Sequence, residues 1–151
     1  MAGENQDLIK KLNDLIALDM DATNAYGVAI SRMSVAFLQE RLRQFQQDHE
    51  RHVRELSQIV KLHGGEPRQA PDVKGYLLQG FTAISAATGD EAALRAMHSN
   101  EQLTTRTYQK AVEQDWPMEV SALIESNAAD ERRHLAFVEG ALQNRSWKRA
   151  G

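Results

Sequence analysis

No cysteine occurs among the 151 residues. Disulfides, thiolate zinc sites, cysteine-ligated iron–sulfur clusters and cysteine nucleophiles are therefore excluded, and any metal must sit on oxygen and imidazole ligands. Proline and glycine are scarce, at 3 and 9 residues, which favours a few long elements over many short ones. Neither sign of charge dominates: 18 Lys and Arg stand against 21 Asp and Glu, for a formal charge of −3. That balance argues against a protein whose main task is gripping nucleic-acid phosphates. No apolar run approaches the roughly 18 residues of a spanning helix. The start, MAGENQDLIKKLN, lacks the apolar stretch of a secretory signal. These absences point to a cytoplasmic protein without membrane or nucleic-acid partners. Hydrolase chemistry also lacks its signatures, since Ser31, Ser57 and Ser126 have no glycine-rich elbow and no phosphate-cradling loop is present. What remains, 42% hydrophobic and 26% charged, is enough for one domain over residues 1–151. Its core runs over about 6–144, ahead of a flexible basic tail, 145–151.

The apolar residues recur at helical spacing. Leu8, Leu12, Leu15, Ile16, Ala22, Tyr26, Ala29 and Met33 predict a helix over 5–33. Leu38, Leu42, Phe45, Leu56 and Ile59 predict a second over 35–63, stopped by Gly64-Gly65 with Pro67 beyond. A shorter apolar helix is expected over 73–88, weakened by Gly75 and Gly80. Two further long helices follow over 90–115 and 117–144, with Pro117 fitting the first turn of the last. Helices of about 25 residues span about 37 Å. Short links make two antiparallel hairpins, and the middle connection, carrying its own helix, is long enough to cross the bundle. The expected class is all-α, an antiparallel four-helix bundle.

The two hairpins are related. A shift of 82 places Asp19 on Glu101, Thr23 on Thr105 and Tyr26 on Tyr108. The same shift sets Asp48-His49-Glu50-Arg51-His52-Val53 on Asp130-Glu131-Arg132-Arg133-His134-Leu135. Asp19 precedes His52 by 33 residues, as Glu101 precedes His134. Several matches at one offset indicate an internal repeat.

Each long helix also breaks its apolar seam near mid-length. Asp19 interrupts the first, His49 and His52 the second, Glu101 the third, and Glu131 with His134 the fourth. An unpaired buried carboxylate costs several kcal/mol, so three at one level require a compensating partner. A bound cation provides one, and residues at i and i+3, such as Glu131 and His134, reach one centre together. Taken singly, each residue has an ordinary explanation: a hydrogen-bonded core histidine, or an acid at the seam edge. Asp48, Glu50, Asp130, Arg51 and Arg133 read as solvated salt-bridge partners. Tyr26 and Tyr108 read as core aromatics or as groups tuning a centre, and Thr23 and Thr105 as packing residues. His98 reads as structural, and His63 fits a favourable contact with the helix dipole. The joint occurrence on four helices, in register, favours a metal site at Asp19, His49, His52, Glu101, Glu131 and His134.

At these residues the chain resembles the ferritin-like superfamily, which includes bacterioferritins, rubrerythrins and related di-iron carboxylate proteins. The resemblance covers roughly 6–144 and rests on four anchors. These are Asp19 with Tyr26, His52 followed by Gly64-Gly65-Glu66-Pro67, Glu101 with Tyr108, and the Glu131-x-x-His134 motif. Bacterial ferritin-like proteins of about this length are the nearest likeness. The family pattern takes one Glu from each of two helices and Glu-x-x-His from each of the other two. Glu101, Glu131 and His134 match it, and His52 matches the second histidine. Two positions depart: Asp19 replaces a Glu, and His49 occupies the place of a bridging Glu, removing a charge and a bridging oxygen. Of the neighbouring acids, Asp48 lies on a nearby face and Glu50 points well away. A mononuclear site, an asymmetric dinuclear site and a degenerate pocket all stay open. The ligand types suit iron, as one or two ions, or manganese or zinc.

The resemblance implies ferroxidase, peroxidase or oxygenase chemistry, with dioxygen or peroxide as substrate. The competing expectation is a non-enzymatic, stress-associated or interaction bundle with a degenerate metal site. Iron storage in a closed shell is disfavoured, because the crossover carries a helix and no fifth long helix follows Asn144. A homo-oligomer is expected, a dimer in the first place, with the apolar segment 76–84 as one candidate contact.

Overall fold

A computed structural model of the chain describes residues 2–71 and 87–150. Four long helices account for most of them: α1 (Ala2–Arg32), α2 (Ala36–Leu62), α3 (Asp90–Val112) and α4 (Met118–Gln143). Their ends fall within three residues of the expected ones, and no strand is present among the described residues. The short helix expected over 73–88 lies outside the described residues except for Ala87 and Thr88, which are not helical. The candidate contact segment 76–84 lies outside them as well. No helix is long and apolar enough to cross a membrane among the described residues.

Two apolar clusters fix the topology. One gathers Ala25–Ile30 from the end of α1, Met33 and Val35 just beyond it, Leu38–Phe45 from the start of α2, Ala93–Met97 from the start of α3, and Val138 and Ala141 from the end of α4. The other gathers Leu12–Leu18, Leu56 and Val60, Tyr108 and Ala111, and Val120–Ala128 from the opposite ends of the same helices. Thus α1 runs antiparallel to α2 and to α3, and α3 antiparallel to α4, while α2 and α3 run the same way. The connection from α2 to α3 therefore joins opposite ends of the bundle. Fully buried leucines and aromatics such as Leu12, Leu38, Leu56 and Phe45 contribute about 1.5–3 kcal/mol each.

The helix ends show how the sequence stops and starts each element. At the end of α2, Gly64 takes φ of +82°, which a side chain rarely adopts. Its N–H donates to Lys61 and that of Gly65 to Val60, closing a Schellman motif. Gly65 also lies where a Cβ would come within 2.8 Å of Ile9, so the return past α1 needs the bare backbone. The following chain is tied to α1 by Asn13, whose amide donates to the Glu66 carbonyl and accepts from the Arg68 N–H.

The start of α2 has neither a side-chain cap nor an acid in its first turn. Asp90, at the start of α3, brings a carboxylate to the turn that leads into α2. Its carboxylate accepts the Ser34 and Val35 backbone N–H groups and the Ser34 hydroxyl, at 2.8–3.2 Å. Pro117 sits one position before the expected first turn, at the N-cap of α4, its carbonyl accepting from Ser121. The tail expected to fray forms a 3-10 helix over Ser146–Ala150, with Trp147 against the first apolar cluster.

Candidate metal centre

Between the two apolar clusters lies one polar layer. Asp19 from α1, His49 and His52 from α2, Glu101 from α3, and Glu131 and His134 from α4 all have zero exposure. The structure thus brings together every metal-site residue expected from the sequence. They form two groups whose donor atoms lie within 4.8 Å of one another: His49, Glu101, Glu131 and His134, and Asp19, His49 and His52. His49 belongs to both.

The internal repeat appears here as crossed contacts. The Tyr26 hydroxyl donates to Glu101, and that of Tyr108 to Asp19. The same crossing holds the histidines. His52 Nε2 lies 2.9 Å from Asp130 on α4, and His134 Nε2 lies 2.8 Å from Asp48 on α2. A carboxylate on Nε2 fixes the tautomer and turns Nδ1 inward. His52 Nδ1 indeed faces Asp19 at 3.0 Å, and His134 Nδ1 faces Glu131 at 3.2 Å. Phe45 stacks on the His134 ring with centroids 4.2 Å apart, fixing its plane.

Asp48 and Asp130 are therefore not the solvated acids that their sequence context indicates. Each pairs with arginine, Arg51 and Arg133 contacting both acids, yet each also orients a buried histidine. Their equivalence under the shift of 82 was the sequence signal for this role. Thr104, in the same buried seam of α3, is a further polar neighbour, its hydroxyl 3.2 Å from Glu101. Thr23 and Thr105 bond to backbone carbonyls, as packing residues do. His98 is apart from the layer, 3.1 Å from Glu139. The His63 carbonyl accepts from Asn5 at the end of the bundle.

The electrostatics follow from this crowding. Burial raises a carboxylate, but the facing imidazoles outweigh it at Asp19 and Glu101 and hold each at about 2. Burial lifts Glu131 above the usual carboxyl range, with Glu101 adding repulsion. Burial lowers an imidazole, yet contacts with Asp48, Glu101 and Glu131 push His134 to about 10. Glu131 and Asp19 likewise raise His49 well above its usual range, and Asp19 and Asp130 raise His52. Burial and a facing carboxylate keep Tyr26 and Tyr108 protonated, as donors.

One feature of the layer calls for a ligand. His49 Nε2, His134 Nδ1 and both Glu131 oxygens are buried and make no hydrogen bond among the described residues. Buried polar atoms without partners cost about 1–3 kcal/mol each, more when charged. Four of them converging between two helices are satisfied together by a cation, and imidazole nitrogen with carboxylate oxygen is a donor set for iron, manganese or zinc.

A family model described as "Domain of unknown function (DUF2383)" matches residues 7–114. The chain belongs to this family. Its fold is ferritin-like. A ferritin-like, diiron-carboxylate protein from Bacillus anthracis str. Ames superposes with a TM-score of 0.73 at 23% identity, over 94% of this chain and 99% of that one. The bacterioferritin-related protein from Bacteroides fragilis, described as a dodecameric thioferritin, superposes with a TM-score of 0.77 at 15% identity. That match spans 96% of this chain and 89% of that one. No curated protein matches the chain.

Proposed function

We propose that this DUF2383 chain is a metal-binding protein whose polar layer holds iron and reacts with dioxygen or peroxide as a ferroxidase- or peroxidase-like oxidoreductase. The observation that carries the reading is the convergence of His49 Nε2, His134 Nδ1 and the Glu131 carboxylate, all buried and none hydrogen-bonded among the described residues. The diiron-carboxylate description of the Bacillus anthracis neighbour supports iron over manganese or zinc. Asp19 and His52 are candidates in the other half of the layer. Iron in such a site supplies one-electron exchange between its ferrous and ferric states.

The chain's own residues prepare that chemistry. Asp48 and Asp130 hold the His134 and His52 rings with Nδ1 inward. Tyr26 and Tyr108 donate hydrogen bonds to Glu101 and Asp19, limiting how those carboxylates swing. The apolar clusters above and below exclude water, which strengthens every charge interaction between them. We read residues 1–151 as one cytoplasmic domain. The dodecameric state of the Bacteroides fragilis protein supports self-association here too, with a dimer as the smallest unit.

The zero exposure of all six side chains favours a second reading, a non-enzymatic metal-binding or interaction bundle. Stopped-flow absorbance after anaerobic ferrous loading separates the two. Ferric formation on mixing with oxygen or peroxide, faster than free iron and lost in Glu131→Gln, supports the oxidoreductase. Bound ferrous iron that reacts no faster than free iron supports the non-enzymatic bundle.

A further inference from the structure

The two halves of the layer are related by the repeat, yet they differ in how their atoms are satisfied. In the Asp19 half the spacings are those of hydrogen bonds. Asp19 takes His49 Nδ1 at 2.7 Å, His52 Nδ1 at 3.0 Å and the Tyr108 hydroxyl at 2.5 Å. Three close polar partners on one carboxylate leave little room for a cation there. In the Glu131 half the spacings are wider. His134 Nδ1 lies 3.2 Å from Glu131 and 3.6 Å from Glu101, and His49 Nε2 lies 3.5 Å and 3.7 Å from the same two carboxylates. A cation about 2.0–2.2 Å from four tetrahedral donors sets those donors about 3.3–3.6 Å apart. The orphaned layer atoms all lie in this half.

The cause of the asymmetry is the residue at position 49. Its repeat mate is Glu131, so a glutamate there would give each half a carboxylate beside its histidine. An imidazole has two nitrogens on opposite sides of one ring. A neutral ring carries a proton on one of them, so only one lone pair is free to bind a metal. With Nδ1 against Asp19, the proton lies there and Nε2 faces the Glu131 half.

We infer that the centre takes one cation per chain, between His49 Nε2, Glu101, Glu131 and His134 Nδ1, and that the His49 Nδ1–H bond to Asp19 closes the second half-site. This rests on the metal-centre reading above and deepens it. Asp19 is then a positioning residue for His49 and His52, while His49 sets the nuclearity.

Anaerobic titration with cobalt(II), followed by visible absorbance and by elemental analysis after gel filtration, tests the inference on the full chain. The expected end point is one cobalt per chain in the wild type and two in His49→Glu. Asp19→Asn provides a second route should His49→Glu not fold. The amide oxygen still accepts from Nδ1, so the end point stays at one, with affinity about tenfold weaker. A wild-type end point of two, falling to one in Asp19→Asn, overturns the inference and leaves the metal-centre reading standing. An end point of zero in the wild type, with ferrous iron also unbound, overturns both.

Discussion

Asp48 sits four residues before His52 on α2 but contacts His134 on α4, and that crossing makes a sharp prediction. In Asp48→Asn the side chain keeps its shape and loses its charge. The structure gives Asp48 three contacts: His134 Nε2 at 2.8 Å, Arg133 at 2.7 Å and Arg51 at 3.2 Å. The Arg133 side chain is 51% exposed, so its pairing adds little. The His134 contact dominates, a charge-assisted bond worth about 1.5–3 kcal/mol against about half that for a neutral pair. The metal-free variant is expected to lose about 1–2 kcal/mol, a drop of about 2–8 °C in Tm for a chain of this size. Releasing the His134 ring is expected to weaken metal affinity about 10- to 100-fold. Competition titration against a metallochromic chelator reads the affinity, and circular dichroism reads Tm. A double-mutant cycle then assigns the effect. Asp48→Asn is expected to add almost nothing to His134→Ala and to add fully to His52→Ala. Affinity within threefold of wild type, or coupling to His52 in place of His134, refutes the crossed arrangement.

The remaining predictions concern the frame around the centre. Asp90→Ala removes the acceptor for the Ser34 and Val35 N–H groups that lead into α2 and is expected to cost about 1–3 kcal/mol in chemical denaturation. Burial raises the Asp90 carboxyl, but bonds from Val35 and Ser34 outweigh it and hold the group below its usual 3.8. Its stabilisation is thus present above about pH 4 and fades as pH falls through the lowered folded-state value, so the gap between wild type and Asp90→Ala should shrink on acidification. A gap that widens toward low pH contradicts this. Gly65→Ala forces Ile9 aside and is expected to cost about 1–3 kcal/mol, whereas Gly3→Ala, with nothing within 4 Å of the added Cβ among the described residues, should fall within about 0.5 kcal/mol of wild type. Equal effects of the two glycine variants in the same denaturation assay would exclude close packing at Gly65.

Much of this architecture was legible in the sequence because helices and their ends leave local signals. Leu38, Leu42, Phe45 and Leu56 mark the buried stripe of α2 at helical spacing, and Gly64-Gly65 marks its stop. The polar layer was legible for a different reason: an acid or histidine in an apolar seam is expensive, and six in register cannot be accidental packing. Contacts between helices were harder. Asp48 lies beside Arg51 at i+3, which locally resembles a surface ion pair, and its histidine partner is 86 positions away in sequence. Asp90 likewise lies beside Gly89 at a break in the sequence pattern, yet its carboxylate holds the turn into another helix, 55 positions away. The asymmetry at position 49 was visible as a substitution, but which nitrogen faces which carboxylate depends on how the ring sits between α1, α3 and α4.

The central claim is that the polar layer is a cation site. Metal content per chain, by elemental mass spectrometry on protein purified without chelators or a metal-affinity tag and then loaded anaerobically with ferrous iron, tests it most directly. Iron retained after gel filtration in the wild type, and lost in a folded Glu131→Ala variant, is the predicted result. A wild-type protein that holds no metal, or a Glu131→Ala variant that holds as much as the wild type, contradicts it.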